Sequence, residues 1–413
     1  MPQSVMSVPQ ASSAAHASVT APPLVPIELV CTGLLEAFAQ VSDGRSDQGR
    51  DHPVAVVLAL TAAATVAGMR GYIAIAGWVA DVPAAIRVDL YQRGGTTAAA
   101  PPSKATIWRV VTGADPEALD TAVGAWLTRG LSAVTEAADN APDPDAQPVP
   151  MMQLRLDGKT SRGAIDADGN RLHLLAALLG RPGQTTVVAA QTEVGAKTNE
   201  VPKAIDVLAK TDLTDTVVTA DALHTVKATA AYIHDHGGYY LLPVKENRQA
   251  LYDACNTLPW ATTPISYQHT DLGHGRITRR TIRVLPAPDT VTFPHAQQIY
   301  LIERYVTNTH GQSPSAAAAL GVTNLTDTLA GPADLALHTQ SHWGVESLHW
   351  LRDTCYREDT SRARTRNGPR ILASLRNLAI GALRLAGRHD ITEATRWASR
   401  YMDRPFTILG LTL

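Results

Sequence analysis

Met151-Met152-Gln153-Leu154-Arg155-Leu156-Asp157-Gly158-Lys159 is where the chain changes its periodicity. Met152, Leu154 and Leu156 alternate with Gln153, Arg155 and Asp157, the two-residue repeat of a β-strand. Residues 171–179 and 185–191 read as the next two strands. Residues 201–210 then read as a helix, 216–220 as a strand, 226–236 as a helix and 239–244 as a strand. Three strands in series, then helix, strand, helix and strand, describe an α/β fold: a mixed sheet with helices on its faces. From Ile265 to about Leu325 strand-like runs interrupt this order, a β-rich insertion at about 260–330. A helical tail follows from Leu335.

Upstream the pattern is helical. Residues 27–138 predict a small all-helical N-terminal domain. Within it, residues 54–69 are apolar and uncharged, slightly short for a membrane span and more consistent with a buried core helix. Ser103 is placed to cap the helix that carries Lys104 and Arg109, and Asp115-Pro116-Glu117 opens another. Short helices with tight turns fit either a DNA-reading helix pair or a plain packing domain. Residues 139–150, with four prolines among aspartates and amides, predict a linker. Residues 1–26, rich in Ala, Ser, Pro and Val, predict a disordered tail and lack the pattern of a secretion signal. Residues 151–413 then read as one α/β domain with the insertion inside it.

The net charge of −2 means that any nucleic-acid contact must come from local patches. Arginine outnumbers lysine 29 to 7. That suits phosphate recognition, though a GC-rich genome has the same effect. Cys31, Cys255 and Cys355 are scattered, which excludes a disulfide framework or zinc knuckle and fits a reduced cytoplasm.

Two strand-like runs each deliver an aspartate, Asp157 and Asp221, and a helical run His342-Trp343-Gly344-Val345-Glu346-Ser347-Leu348-His349-Trp350 delivers Glu346. These acids are far apart in sequence, so they can meet only by tertiary folding. Together they could hold two hard divalent cations about 3.5–4 Å apart, the arrangement that cuts and joins phosphodiesters. An aspartate at a strand end is more often a cap or surface turn. Glu346 and His349 also spell Glu-x-x-His, but a di-iron bundle needs two such motifs, and one is present. On the last helix, His342, Glu346, His349, Trp350 and Asp353 share one side, while Gly344, Leu348, Leu351 and Cys355 share the side expected to be core. The run 361–388 holds Arg362, Arg364, Arg366, Arg370, Arg376, Arg384 and Arg388 with no acid, either a phosphate-binding face or a solvated one. Arg276, Arg279 and Arg280, with His274, form a second basic patch on the insertion.

Several ordered motifs resemble the ISAs-type insertion-sequence transposases, a DDE family with an RNase H-like catalytic domain. They include Gly49-Arg50-Asp51-His52-Pro53, Leu156-Asp157-Gly158-Lys159-Thr160, Lys197-Thr198-Asn199-Glu200, Ala220-Asp221-Ala222-Leu223-His224-Thr225, residues 238–245, Gly273-His274-Gly275-Arg276 and the 342–350 run. The resemblance implies that Asp157, Asp221 and Glu346 are the metal-binding triad for two Mg²⁺ ions, with Mn²⁺ able to substitute. It implies a helical N-terminal domain associated with transposase function and a β-rich insertion before the glutamate. It places Lys245, Arg276, His349 and Arg352 near DNA, and Lys159, Lys197 and His224 lie in the same motifs. The expected partners are double-stranded element ends and target DNA within a homodimer or larger synaptic complex, in the cytoplasm at the nucleoid. Departures are Val226, where Gln is expected, Glu246, where Gly is expected, and a shortened spacing after Glu346. All three acids remain. A DDE nuclease without strand transfer and a non-catalytic DNA-binding regulator are the alternatives.

Overall fold

The computed structural model describes residues 33–46, 50–97, 100–141, 149–165, 168–195, 200–273, 275–308 and 315–412. The expected tail at 1–26, most of the linker, Cys31, Lys197 and His274 lie outside the described residues.

Six N-terminal helices come first: α1 (Leu34–Ala39), α2 (Val54–Val66), α3 (Tyr72–Ala80), α4 (Ala84–Arg93), α5 (Lys104–Gly113) and α6 (Pro116–Asp139). Residues 55–66 of α2 are all buried, as a helix that is apolar all round must be. Ser103 caps α5 by accepting from the Thr106 amide, and Asp115 caps α6 through Glu117 and Ala118. α6 runs on to Asp139, its last turns rich in Ala and Glu. The tight turn before α4 hid that helix from periodicity.

Then come β1 (Met152–Ile165), β2 (Arg171–Gly180), β3 (Val187–Glu193), α7 (Glu200–Leu208), β4 (Thr216–Thr219), α8 (Lys227–Asp235), β5 (Tyr239–Val244) and α9 (Gln249–Asn256). The strand order is β3-β2-β1-β4-β5, with β1–β3 antiparallel and β1, β4 and β5 parallel. This is the mixed sheet that the periodicity predicts, in the RNase H-like form that the resemblance implies.

The insertion supplies β6 (Tyr267–Gly273), β7 (Arg276–Pro286), β8 (Gln298–Asn308) and β9 (Ser315–Thr323). It is no separate module. β9 pairs antiparallel with β5, so all nine strands form one sheet ordered β3-β2-β1-β4-β5-β9-β8-β7-β6. The helical end comprises α10 (Pro332–Ser341), α11 (Gly344–Thr354), α12 (Gly368–Leu385), α13 (Ile391–Ser399) and α14 (Arg404–Ile408).

One apolar core crosses the expected boundary at 139–150. α6 lies directly on β3: a Cβ at Gly124 would stand 2.1 Å from the Ala189 carbonyl oxygen. A buried polar joint ties the same three elements. Asp120 of α6 accepts from Gln191 of β3 and from Arg370 and Ser374 of α12, and Arg370 also meets Glu117. Among the described residues no helix is long and apolar enough to cross a membrane.

Candidate active site

β1 and β4 run side by side with Leu154 opposite Val218 and Arg155 opposite Thr219. Two residues further along each chain come Asp157 and Asp221. Asp221 follows the end of β4, and its Oδ1 accepts from the Leu223 amide at 2.9 Å, capping the short turn Ala222–His224. Asp157 Oδ1 accepts from the Gly158 amide at 2.9 Å.

The polar side of β1 is not a solvent face. Gln153 and Arg155 are buried and receive the end of α10. Gln153 Nε2 donates to the His338 carbonyl and to Thr219 Oγ1, both at 2.9 Å, and Arg155 Nε donates to the Ser341 carbonyl at 2.8 Å. That docking starts α11 beside the two aspartates. The expected single helix is broken at His342–Trp343, so His342 belongs to the end of α10 and shares a hydrogen bond with Thr219 Oγ1 at 3.0 Å. Leu348 and Leu351 of α11 face the core, as the spacing predicts, and Val345, which the spacing did not mark, is buried with them. On the other side His349 Nδ1 lies 3.4 Å from Asp157 Oδ2, and Glu346 stands one turn before it, exposed.

Electrostatics tie the acids together. Burial pushes the Asp157 carboxyl up to about 6, with the charges of Glu200, Asp221 and Glu346 adding to it and the Gly158 amide opposing. The nearby imidazoles do not compensate as cations. Burial pulls His342 down to about 4 and His349 down to about 3, so both are neutral near pH 7. The ionised Asp157 therefore destabilises the metal-free fold. This cost is absent below the free-chain value of 3.8, grows as pH rises, and is complete above about 6. Asp157→Asn is expected to raise the melting midpoint in EDTA at about pH 7.5 and to leave it unchanged near pH 4. Calorimetry at the two pH values checks this.

Glu200 is a fourth carboxylate that carried no role in the sequence reading, although it ends the Lys197–Glu200 motif. Its Oε1 meets His173 Nε2 at 2.7 Å and its Oε2 meets His224 Nε2 at 3.2 Å. Hydrogen bonds from His173 and His224 hold its carboxyl down at about 2. The bridge fixes the Asp221 turn, through His224, against β2 and the start of α7. Gly158 makes room for it: a Cβ there would stand 2.3 Å from Glu200 Oε1 and 2.8 Å from His173 Nε2. Gly158→Ala is expected to break this bridge at a cost of about 1–3 kcal/mol, read by urea unfolding.

The donor set suits a hard divalent cation: carboxylate oxygens of one charge sign, with Asp157 partly buried and neutral imidazoles beside it. Among the described residues, no three His, Cys, Asp or Glu side chains stand close enough together to hold a metal ion. The acids share one electrostatic site, at a spacing wider than coordination.

The basic residues divide in two. Lys104, Arg109, Lys245, Arg276, Arg279, Arg362, Arg364 and Arg366 are exposed. Arg279 stacks on Tyr305 and Arg280 pairs with Asp271. Four expected DNA contacts are instead structural. Lys159 is buried against Asp353 at 2.7 Å, His224 is buried on Glu200, Arg370 joins the Asp120 network, and Arg352 is fully buried on Glu358. The arginine run owes its lack of sequence-neighbouring acids to partners elsewhere: Arg376 also reaches Glu358, at 3.1 Å, and Arg384 reaches Thr186. Sequence spacing gave no sign of Glu358 as the partner of two arginines.

Comparison with known proteins gives the family. The transposase DDE domain family matches residues 145–381, and its associated domain matches residues 35–127. "Putative transposase YncI" of Escherichia coli O157:H7 is 26% identical over 367 residues, covering 85% of this chain and 87% of that protein. "H repeat-associated putative transposase YhhI" of Escherichia coli (strain K12) is 24% identical over 365 residues, covering 85% and 90%. Among solved structures, a piggyBac transposase synaptic complex with hairpin DNA aligns at 10% identity with a TM-score of 0.37, covering 92% of this chain and 79% of that one. With more than half its length matched by the domain, this chain belongs to the transposase DDE domain family.

Proposed function

We propose that Asp157, Asp221 and Glu346 form the acidic centre at which this transposase nicks the ends of its element and joins the freed 3′-hydroxyl to target DNA. The observation that carries the reading is the Asp157 carboxyl, raised to about 6 by burial and by the charges of Glu200, Asp221 and Glu346. His173 and His224 hold Glu200, and among the described residues no Lys or Arg pairs with Asp157, Asp221 or Glu346 to offset their charge. The three acids would hold two Mg²⁺ ions, which supply activation of the attacking oxygen and stabilisation of the leaving one when bound.

The protein's own groups do the rest. β1 and β4 fix two acids on a rigid sheet, and α11 brings the third. His349, kept neutral by burial, stays against Asp157. Its Nε2 is buried with no hydrogen-bond partner among the described residues; with Nδ1–H toward the Asp157 carboxylate, Nε2 is left to accept from a hydroxyl or water. Lys104, Arg109, Lys245, Arg276, Arg279, Arg362, Arg364 and Arg366 are exposed to take DNA phosphates, and a homodimer or larger assembly would hold two element ends together.

Incubation of an element-end duplex and a target plasmid with Mg²⁺ tests the reading. Cleaved ends and joined products support it. Cut DNA with no joined product from pre-nicked ends points to a nuclease. Salt-dependent binding without turnover points to a regulator.

A further inference from the structure

A cavity of about 360 Å³ opens beside the helix that carries Glu346. Its walls come from three distant parts of the chain. α11 gives Trp350 and Thr354, the segment after α2 gives Arg70, and α13 gives Thr392, Arg396 and Ser399. Glu346, Trp350 and Thr354 follow one another at four-residue spacing, so they lie along one helix face within about 12 Å. The cavity therefore adjoins the acidic centre.

Its chemistry is specific. Trp350 is 60% exposed, a large aromatic face left in solvent. Arg70 and Arg396 are exposed, and among the described residues neither guanidinium has an ion pair or hydrogen bond. Their neighbours Arg388 and Arg404 differ, being stacked 3.4 Å and 4.2 Å from the Trp397 ring. Among the described lining residues none is acidic. The volume falls in the range of small-ligand sites, about 300–1,000 Å³. An indole face takes a π-system, and a pair of free guanidinium forks takes phosphate oxygens.

We propose that this cavity holds one unpaired nucleotide of the DNA strand beside the acidic centre, its base against Trp350 and its phosphate between Arg70 and Arg396. The proposal rests on the transposase reading for the presence of DNA. A base offers its face to an indole only after it has left its own stack, so the pocket selects unpaired over duplex DNA.

The test is fluorescence anisotropy of the full chain in EDTA, with labelled oligothymidylate and with a labelled duplex. Trp350→Ala is expected to weaken single-strand binding about tenfold and duplex binding less than about twofold. Trp350→Phe, which keeps an aromatic face, stays within about threefold of wild type on both. Arg70→Ala and Arg396→Ala are each expected to lower the salt slope of single-strand binding by about 0.7, and Trp350→Ala to leave it unchanged. Equal loss on both DNAs, wild-type single-strand affinity in Trp350→Ala, or unchanged slopes in both arginine variants overturns the proposal. No cleavage is read, so failure of metal-dependent chemistry would show in the strand-transfer assay and leave this measurement interpretable.

Discussion

Asp157→Ala, Asp221→Ala and Glu346→Ala are each expected to lower Mg²⁺-dependent cleavage of element ends by on the order of 10³-fold, since each removes several kcal/mol of transition-state charge stabilisation. DNA binding in EDTA should change by less than about threefold, because none of the three is a cation facing phosphate. The three positions are not equivalent in the fold. Asp157 and Asp221 sit on adjoining parallel strands, one within β1 and one just past β4. Glu346 arrives on a helix whose position depends on other contacts. Asp157→Cys sharpens the test, because a thiolate binds Mn²⁺ better than Mg²⁺. Partial recovery in Mn²⁺ alone is the expected sign of direct ligation. Wild-type cleavage by any one alanine variant would remove that residue from the centre.

Glu358→Ala is expected to destabilise the protein by about 3–5 kcal/mol, read by urea unfolding, because it strands two buried guanidiniums. Burial opposes the charge of Glu358, yet Arg352 and Arg376 hold its carboxyl far below the usual range. Arg352 meets it at 2.7 Å and 2.9 Å, Arg376 at 3.1 Å, and Ser161 of β1 donates to it at 2.7 Å. This one carboxylate joins α11, α12 and β1. It sets the helix bearing Glu346 and His349 against the strand bearing Asp157. Glu358→Gln keeps the volume and should lose less stability than alanine, while still lowering the cleavage rate through displacement of α11. A Gln variant with full stability and full activity would show that the charge itself holds nothing in place.

The sequence alone determined most of the strands, though not β6, together with the buried α2 and the caps at Ser103 and Asp115, because alternation, apolar content and capping are local properties of neighbouring residues. It misread what non-local partners decide. The β-rich insertion was legible, but not that β9 pairs with β5 and so extends one sheet. Arg352 and Arg370 looked free for DNA because their acids, Glu358 and Asp120, face them only after folding. Glu200 stayed without a role because His173 and His224 lie on β2 and in the turn after β4. Residue type and periodicity are written along the chain. Which charge is paired, which is buried and which is left for a ligand depends on contacts between elements, and only the tertiary structure decides those.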